Sequence, residues 1–124
     1  MTFGIIGSGA FGTALSISLS STNEKLILWT RNQDVVNSVQ EIRENRLRLP
    51  GYILPQNIIV TNDINQMENC SIILIAVPMQ QLRSVVELHR SRLEGKILVA
   101  CCKGFEVSTC LLYTSDAADE GLGV

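Results

Sequence analysis

Short apolar runs alternate along the chain with longer stretches in which apolar residues recur every three or four positions, from residue 2 to about residue 109. The first pattern suits strands and the second suits helices with one buried face. Strands are predicted at 2–6, 25–29, 58–60, 71–77 and 96–102. The last two are continuously apolar, as strands covered on both faces should be. Helices fit between them. The segment 10–21 carries Phe11, Leu15 and Leu19 at four-residue steps, 33–46 carries Val35, Val39 and Ile42, and 79–93 carries Leu82, Val86 and Leu93. Asn32 suits an N-cap with Asp34 in the first turn, and Pro78 suits the first position of its helix. Residues 47–57, with Pro50, Gly51 and Pro55, read as an irregular connection. Alternating strands and helices of this kind build βαβ units around a parallel sheet, which places the chain in the α/β class.

Composition narrows the function. The 124 residues are 46% hydrophobic and 18% charged, enough apolar surface for a packed core and too little charge for a disordered chain. Ten basic against twelve acidic residues leave no basic excess, so nucleic acid is not an expected partner. The apolar runs at 72–77 and 97–102 are far shorter than the roughly 20 residues that span a bilayer. With no basic leader before the first strand, the expected location is the cytoplasm. Cys70, Cys101, Cys102 and Cys110 show neither a disulfide framework nor paired metal-ligand spacing, so reduced, mostly buried thiols and no metal are expected.

The chemistry is concentrated in Gly7-Ser8-Gly9-Ala10-Phe11-Gly12, a G-x-G-x-x-G sequence. Three glycines at that spacing arise by chance in roughly one chain of this length in twenty-five, given glycine at about 7% of residues. Its position is more telling, because it directly follows a predicted strand and opens a predicted helix. Gly7 then permits the tight turn, Gly9 lets a pyrophosphate approach the backbone, and Gly12 lets helix and strand pack closely. The helix N-terminus supplies N–H donors to the phosphates. The expected fold is therefore a Rossmann-type doubly wound parallel sheet, binding a dinucleotide.

Cofactor choice is read at the end of the second strand. An NAD site usually places an acidic side chain there, to bond the ribose 2′-OH. Here the strand runs into Thr30-Arg31-Asn32. A guanidinium suits a 2′-phosphate, so Arg31 points to NADP(H) as the preferred cofactor, with NAD(H) as the alternative.

Five segments together carry a resemblance. They are Gly7 to Leu15, the Leu28-Trp29-Thr30-Arg31 run, Glu44-Asn45-Arg46 leading to Leu49-Pro50-Gly51-Tyr52-Ile53-Leu54-Pro55, the Ile75-Ala76-Val77-Pro78 run, and Cys102-Lys103-Gly104-Phe105-Glu106. In order and spacing they resemble bacterial NAD(P)-dependent glycerol-3-phosphate dehydrogenases over residues 3 to about 109. The resemblance implies a two-domain enzyme reducing dihydroxyacetone phosphate to sn-glycerol 3-phosphate for phospholipid synthesis, with a homodimer left open for the full-length protein. It places Ala10, Phe11, Arg31 and Asn32 at the cofactor and gives Lys103 a catalytic place beside both cofactor and substrate. An ammonium there holds the substrate phosphate or polarises the carbonyl that receives hydride. Two positions depart from the family pattern. Ala10 stands where serine is frequent, and Arg48 where an aromatic residue is common. The resemblance also assigns the proton-transferring lysine to a helical C-terminal domain that this chain lacks, so the isolated chain is expected to be inactive. The rival readings are another NADP-linked reductase, such as ketopantoate reductase, and a dinucleotide-binding sensor that needs no lysine at position 103.

The remaining features read as structural. His89 falls on the apolar stripe of the third helix and is expected to be a partly buried, hydrogen-bonded histidine. Arg83, Arg90 and Arg92 read as a solvated face. Residues 110–124 show no clear strand or helix period, and 110–120 resemble a translated sequencing adapter, so they are expected to be a non-native tail behind an incomplete cofactor domain at 1–109. Asp116, Asp119 and Glu120 lie in that tail. Residues 1–109 therefore carry ten basic and nine acidic groups, a net charge of +1 rather than the −2 of the whole chain.

Overall fold

In the computed structural model, which describes residues 2–21, 25–101 and 110–113, the apolar runs become one six-stranded sheet. The elements in chain order are β1 (Thr2–Ile6), α1 (Ala10–Ser20), β2 (Leu26–Trp29), α2 (Gln33–Ile42), β3 (Ile58–Thr61), a 3-10 turn (Ile64–Met67), β4 (Cys70–Ile75), α3 (Met79–Leu88), α4 (Arg90–Leu93), β5 (Ile97–Cys101) and β6 (Cys110–Tyr113). The spatial order is β3-β2-β1-β4-β5-β6, and the first five strands in chain order are parallel. The chain moves outward from β1 through β2 to β3, then returns to the other side of β1 for β4 and β5. That reversal opens a crevice at the carboxyl ends of β1 and β4, where ligands of such sheets bind.

Side chains alternate across the sheet and divide the core in two. On one face Ile5, Leu26, Leu28, Ile58 and Val60 pack with Val35, Val36 and Val39 of α2 and with Leu54. On the other, Ile6, Ile27, Trp29, Ile73, Ile75 and Leu98 pack with Leu82 and Val86 of α3, Leu93 of α4 and Met67. Of the stripes foreseen for the second and third helices, Val35, Val39, Leu82, Val86 and Leu93 are buried, while Ile42 is only half-buried. Cys70 and Cys101 are buried thiols, as expected. Among the described residues no helix is long and apolar enough to cross a membrane, and no cluster of metal-ligating side chains occurs.

The first helix departs from its predicted face. The positions that α1 buries are Gly12, Thr13, Ser16 and Ser20, while Phe11 stays 39% exposed and Leu15 and Leu19 are half-buried. Small residues face the sheet because the helix lies too close to it for larger ones. Their hydroxyls are satisfied locally, Ser16 Oγ donating to the Gly12 carbonyl at 2.8 Å and Ser20 Oγ to the Ile17 carbonyl at 2.6 Å.

The second helix ends at Ile42 rather than at residue 46, because Arg43 adopts a left-handed conformation, φ 56° and ψ 35°. A non-glycine residue there costs about 1 kcal/mol or more. The Arg43 guanidinium offsets this by donating to the carbonyls of Leu54, Pro55 and Ile58, bonds strengthened by its charge. It thereby ties the irregular connection to β3. The third helix breaks at His89 into α3 and α4, and Pro78 sits at the N-cap rather than at the first helical position. Residues 110–113, read from sequence as patternless, pair antiparallel with β5, Cys101 opposite Cys110 and Leu98 opposite Tyr113. Four consecutive residues of strand-compatible type suffice to extend a sheet edge, whether or not they show a period.

His89 is half-buried, as foreseen. Its Nε2 is buried with no partner among the described residues, and neither has Trp29 Nε1. The two rings meet edge to face, 4.7 Å apart at 73°. Burial lowers the His89 pKa below its ordinary value. The unfolded chain therefore takes up a proton more readily than the folded one. Stability contributed by neutral His89 is fully present above about pH 6.5 and is lost as pH falls through the depressed folded value. His89 is the only histidine, so His89→Phe, which keeps the aromatic contact, should lose less urea resistance than the parent between pH 7 and pH 5. Identical losses in the two proteins would refute this origin.

Candidate functional site

The carboxyl edge of the sheet is built around three glycines with three different surroundings. After β1 the chain turns at Gly7, whose φ of 115° disfavours any side chain. A Cβ at Gly7 would also stand 2.5 Å from the Ala76 carbonyl oxygen. Gly7 N–H donates to the Trp29 carbonyl at 3.0 Å, and Ala76 N–H to the Ile6 carbonyl at 2.8 Å. The turn is therefore wedged between the ends of β2 and β4. A Cβ on Gly12 would lie 2.1 Å from the Gly7 carbonyl oxygen, so the first turn of α1 rests directly on the loop. At Gly9 the same construction meets nothing within 4 Å. Two glycines are needed by the fold, and the third leaves an opening.

That opening faces a helix start. Gly9 is the N-cap of α1 and supplies no side-chain cap. The early N–H groups of a helix have no intrahelical acceptor and carry the positive end of its dipole, which suits an anion. Ala10 and Phe11 are exposed in this first turn. An open Gly9 and uncapped amides fit a phosphate group pressed against the backbone.

A chain of hydroxyls joins this loop to the end of β2. Ser8 Oγ donates to Thr30 Oγ1 at 2.7 Å, and Thr30 Oγ1 also accepts from the Asn32 backbone N–H at 3.0 Å. Asn32 Oδ1 accepts from Asp34 N–H at 2.9 Å, the N-cap foreseen for α2. Arg31, between these two anchored residues, is exposed, and its guanidinium has no partner among the described residues. The structure thus brings Gly7, Ser8, Gly9, Ala10, Phe11, Gly12, Arg31 and Asn32 to one edge. β5 ends at Cys101 on that edge, and Lys103 lies outside the described residues.

Sequence reasoning passed over the polar support beneath the loop. Thr13 and Asn45 are 0% exposed. Thr13 Oγ1 donates to the Ser8 carbonyl at 3.2 Å, and Asn45 Nδ2 donates to both the Ser8 carbonyl and Thr13 Oγ1 at 2.9 Å. Asn45 belongs to one of the five segments quoted above, but a polar residue ahead of an irregular loop gives no sign of burial. The buried Cys70 thiol does not belong to the site. Cys70 opens β4 at the opposite edge, and burial raises its pKa against the milder pull of Lys96 and Lys25, which keeps it a thiol.

A family model described as the N-terminus of NAD-dependent glycerol-3-phosphate dehydrogenase matches residues 2–123. The chain belongs to this family. Proteins named glycerol-3-phosphate dehydrogenase [NAD(P)+] from Roseobacter denitrificans and a Ruegeria species are 44% and 45% identical to it over 109 and 111 residues. The aligned segments cover 88% and 90% of this chain and 34% of each relative, so the chain spans about a third of the length of the curated relatives it matches. The crystal structure of glycerol-3-phosphate dehydrogenase from Coxiella burnetii is 27% identical, with a TM-score of 0.77 over 84% of this chain and 33% of that one. An arogenate dehydrogenase from Synechocystis, 20% identical with a TM-score of 0.62, shares the fold. Residues 110–113, which pair with β5, fall inside the span matched by the family of dehydrogenase N-termini.

The glycine surroundings separate packing from binding. Gly12→Ala should destabilise the chain by about 3 kcal/mol or more, because the clash is with backbone. Gly9→Ala, at an ordinary φ of −65° and with open space around it, should change stability by no more than about 0.5 kcal/mol. Urea unfolding of both variants checks the pair, and equal losses would show that Gly9 is not open.

Proposed function

We propose that this chain is the dinucleotide-binding part of an enzyme that reduces dihydroxyacetone phosphate to sn-glycerol 3-phosphate, with NADP(H) preferred over NAD(H). The observation that carries the reading is the open Gly9 backbone at the uncapped start of α1, at the switch point of a sheet from the glycerol-3-phosphate dehydrogenase family. The dinucleotide, when bound, supplies the hydride. Residues Gly7 to Gly12 receive its pyrophosphate on backbone N–H groups, with Ala10 and Phe11 lining the entrance. Arg31 pairs with the 2′-phosphate, and Asn32 holds the α2 start beside it. Lys103, two residues beyond β5, holds the substrate phosphate or polarises the substrate carbonyl. Residues 1–109 form the cofactor domain, and 110–124 take no part in the site. The proton-transferring group belongs to the part of the relatives that this chain does not span. The product serves phospholipid synthesis, and the enzyme works in the cytoplasm.

Titration with NADPH and NADH, followed by quenching of Trp29, tests the cofactor assignment. The parent should bind NADPH more tightly. Arg31→Ala should weaken NADPH about tenfold, the loss of one charge-assisted contact, and NADH by less than twofold. An unchanged preference would refute the 2′-phosphate role. Gly9→Ala should weaken both nucleotides. The isolated chain should show no consumption of NADPH with dihydroxyacetone phosphate, and measurable turnover would contradict the division of labour proposed here.

A further inference from the structure

The glycine loop is held from behind by a side chain that follows α2. Asn45 Nδ2 grips the Ser8 carbonyl and Thr13 Oγ1, while Asn45 Oδ1 accepts from Arg48 N–H at 3.3 Å. The Asn45 main-chain carbonyl accepts from Leu49 N–H at 2.8 Å. The amide is therefore fixed at both ends, and it is wholly buried. No peptide bond among the described residues is cis. A planar trans peptide sends its C=O and the following N–H to opposite sides. With the Ser8 carbonyl drawn inward to Asn45, the N–H of Gly9 points the other way, and Gly9 is exposed.

We propose that Asn45 is a positioning residue for phosphate recognition, setting the Ser8–Gly9 peptide so that the Gly9 N–H faces the pyrophosphate. The inference rests on the dinucleotide reading of the loop and adds a residue to which neither the motif nor the family resemblance gives a role. A primary amide is the side chain that meets both demands, donating twice toward the loop while accepting from Arg48. Aspartate at this position would set a carboxylate oxygen against the Ser8 carbonyl, two acceptors with no donor between them.

The test begins with the parent chain in 1H–15N spectra. The Asn45 Nδ2 protons should exchange slowly with and without NADPH, and the Gly9 amide should shift as NADPH binds. Rapid exchange of those protons in the free chain would overturn the proposal. Asn45→Ala and Asn45→Asp, assayed at a temperature where circular dichroism shows them folded, should raise the Kd for NADPH about tenfold. The weaker affinity for adenosine 2′-monophosphate, which has no pyrophosphate, should stay within twofold. Equal losses for both ligands, or no loss for either, would make Asn45 purely structural. If neither variant folds, the parent spectra decide alone, a stationary Gly9 amide at NADPH saturation counting against the proposal. A parent that binds neither NADPH nor NADH would instead refute the dinucleotide reading itself, and this inference with it.

Discussion

The contact between the start of α1 and the Gly7 carbonyl is the constraint on which the other features depend. A Cβ on Gly12 would come within 2.1 Å of that oxygen, so the helix can lie so near the strands only with hydrogen at this position. Close approach then dictates the rest of the buried face. Thr13, Ser16 and Ser20 follow Gly12 inward because larger side chains do not fit, and their hydroxyls fold back onto nearby carbonyls instead of staying unpaired in the core. The larger apolar residues of α1 are pushed to the flanks. Leu15, Ile17 and Leu19 pack at the margin of one core layer rather than at its centre. A helix that gives up apolar burial in this way gains little stability from its own face. What it gains is a fixed position for its N-terminus at the switch point of the sheet.

Fixing the helix start does not by itself fix the loop that enters it. Ser8 and Gly9 span the gap between Gly7, wedged against Ala76 and Trp29, and the first turn of α1. Besides the Thr13 hydroxyl on the Ser8 carbonyl, two attachments from other parts of the fold remove the remaining freedom. Thr30 takes the Ser8 hydroxyl, and Asn45 takes the Ser8 carbonyl. The first couples the loop to the residues that flank Arg31, the second to the irregular connection that Arg43 pins against β3. A change in the connection is therefore transmitted to the phosphate-facing backbone through one buried amide. Buried polar groups of this kind are costly unless fully paired, and here the donors of Asn45 and the carbonyl of Ser8 satisfy one another.

Most of the scaffold was legible because the signals for it are local. Short apolar runs located the five parallel strands, a period near 3.6 located most of the buried stripes of the second and third helices, and the Asn32 cap was readable from its own side chain and Asp34. The features that escaped depend on partners distant in sequence. The left-handed Arg43 is tolerable only because carbonyls eleven to fifteen residues later accept its guanidinium. The polar face of α1 is buried only because of the Gly7–Gly12 contact, and a hydropathy pattern points the opposite way. Asn45 reaches thirty-seven residues back to Ser8. At the site, the glycine motif and Arg31 were legible by type and spacing. The groups that orient them were not, since an asparagine or threonine reads alike whether it is solvated or buried.

The two edges of the sheet are treated differently, and this explains why chemistry gathers at one of them. At the amino edge the backbone carbonyls of Glu68 and Cys70 are bound by the Lys96 ammonium at 2.7 and 2.6 Å. The Lys96 charge is taken up by the protein's own acceptors, and the neighbouring Cys70 is held as a neutral thiol. At the carboxyl edge the reverse holds. The amides at the start of α1 have no side-chain cap, and Arg31 is left exposed between two anchored neighbours. Amides without a side-chain cap, and an exposed Arg31 with no partner among the described residues, make the carboxyl edge a place where an anionic ligand gains on binding. The glycine at position 9 then matters less for its flexibility than for the side chain it lacks, because a donor can be used only where a phosphate can reach it.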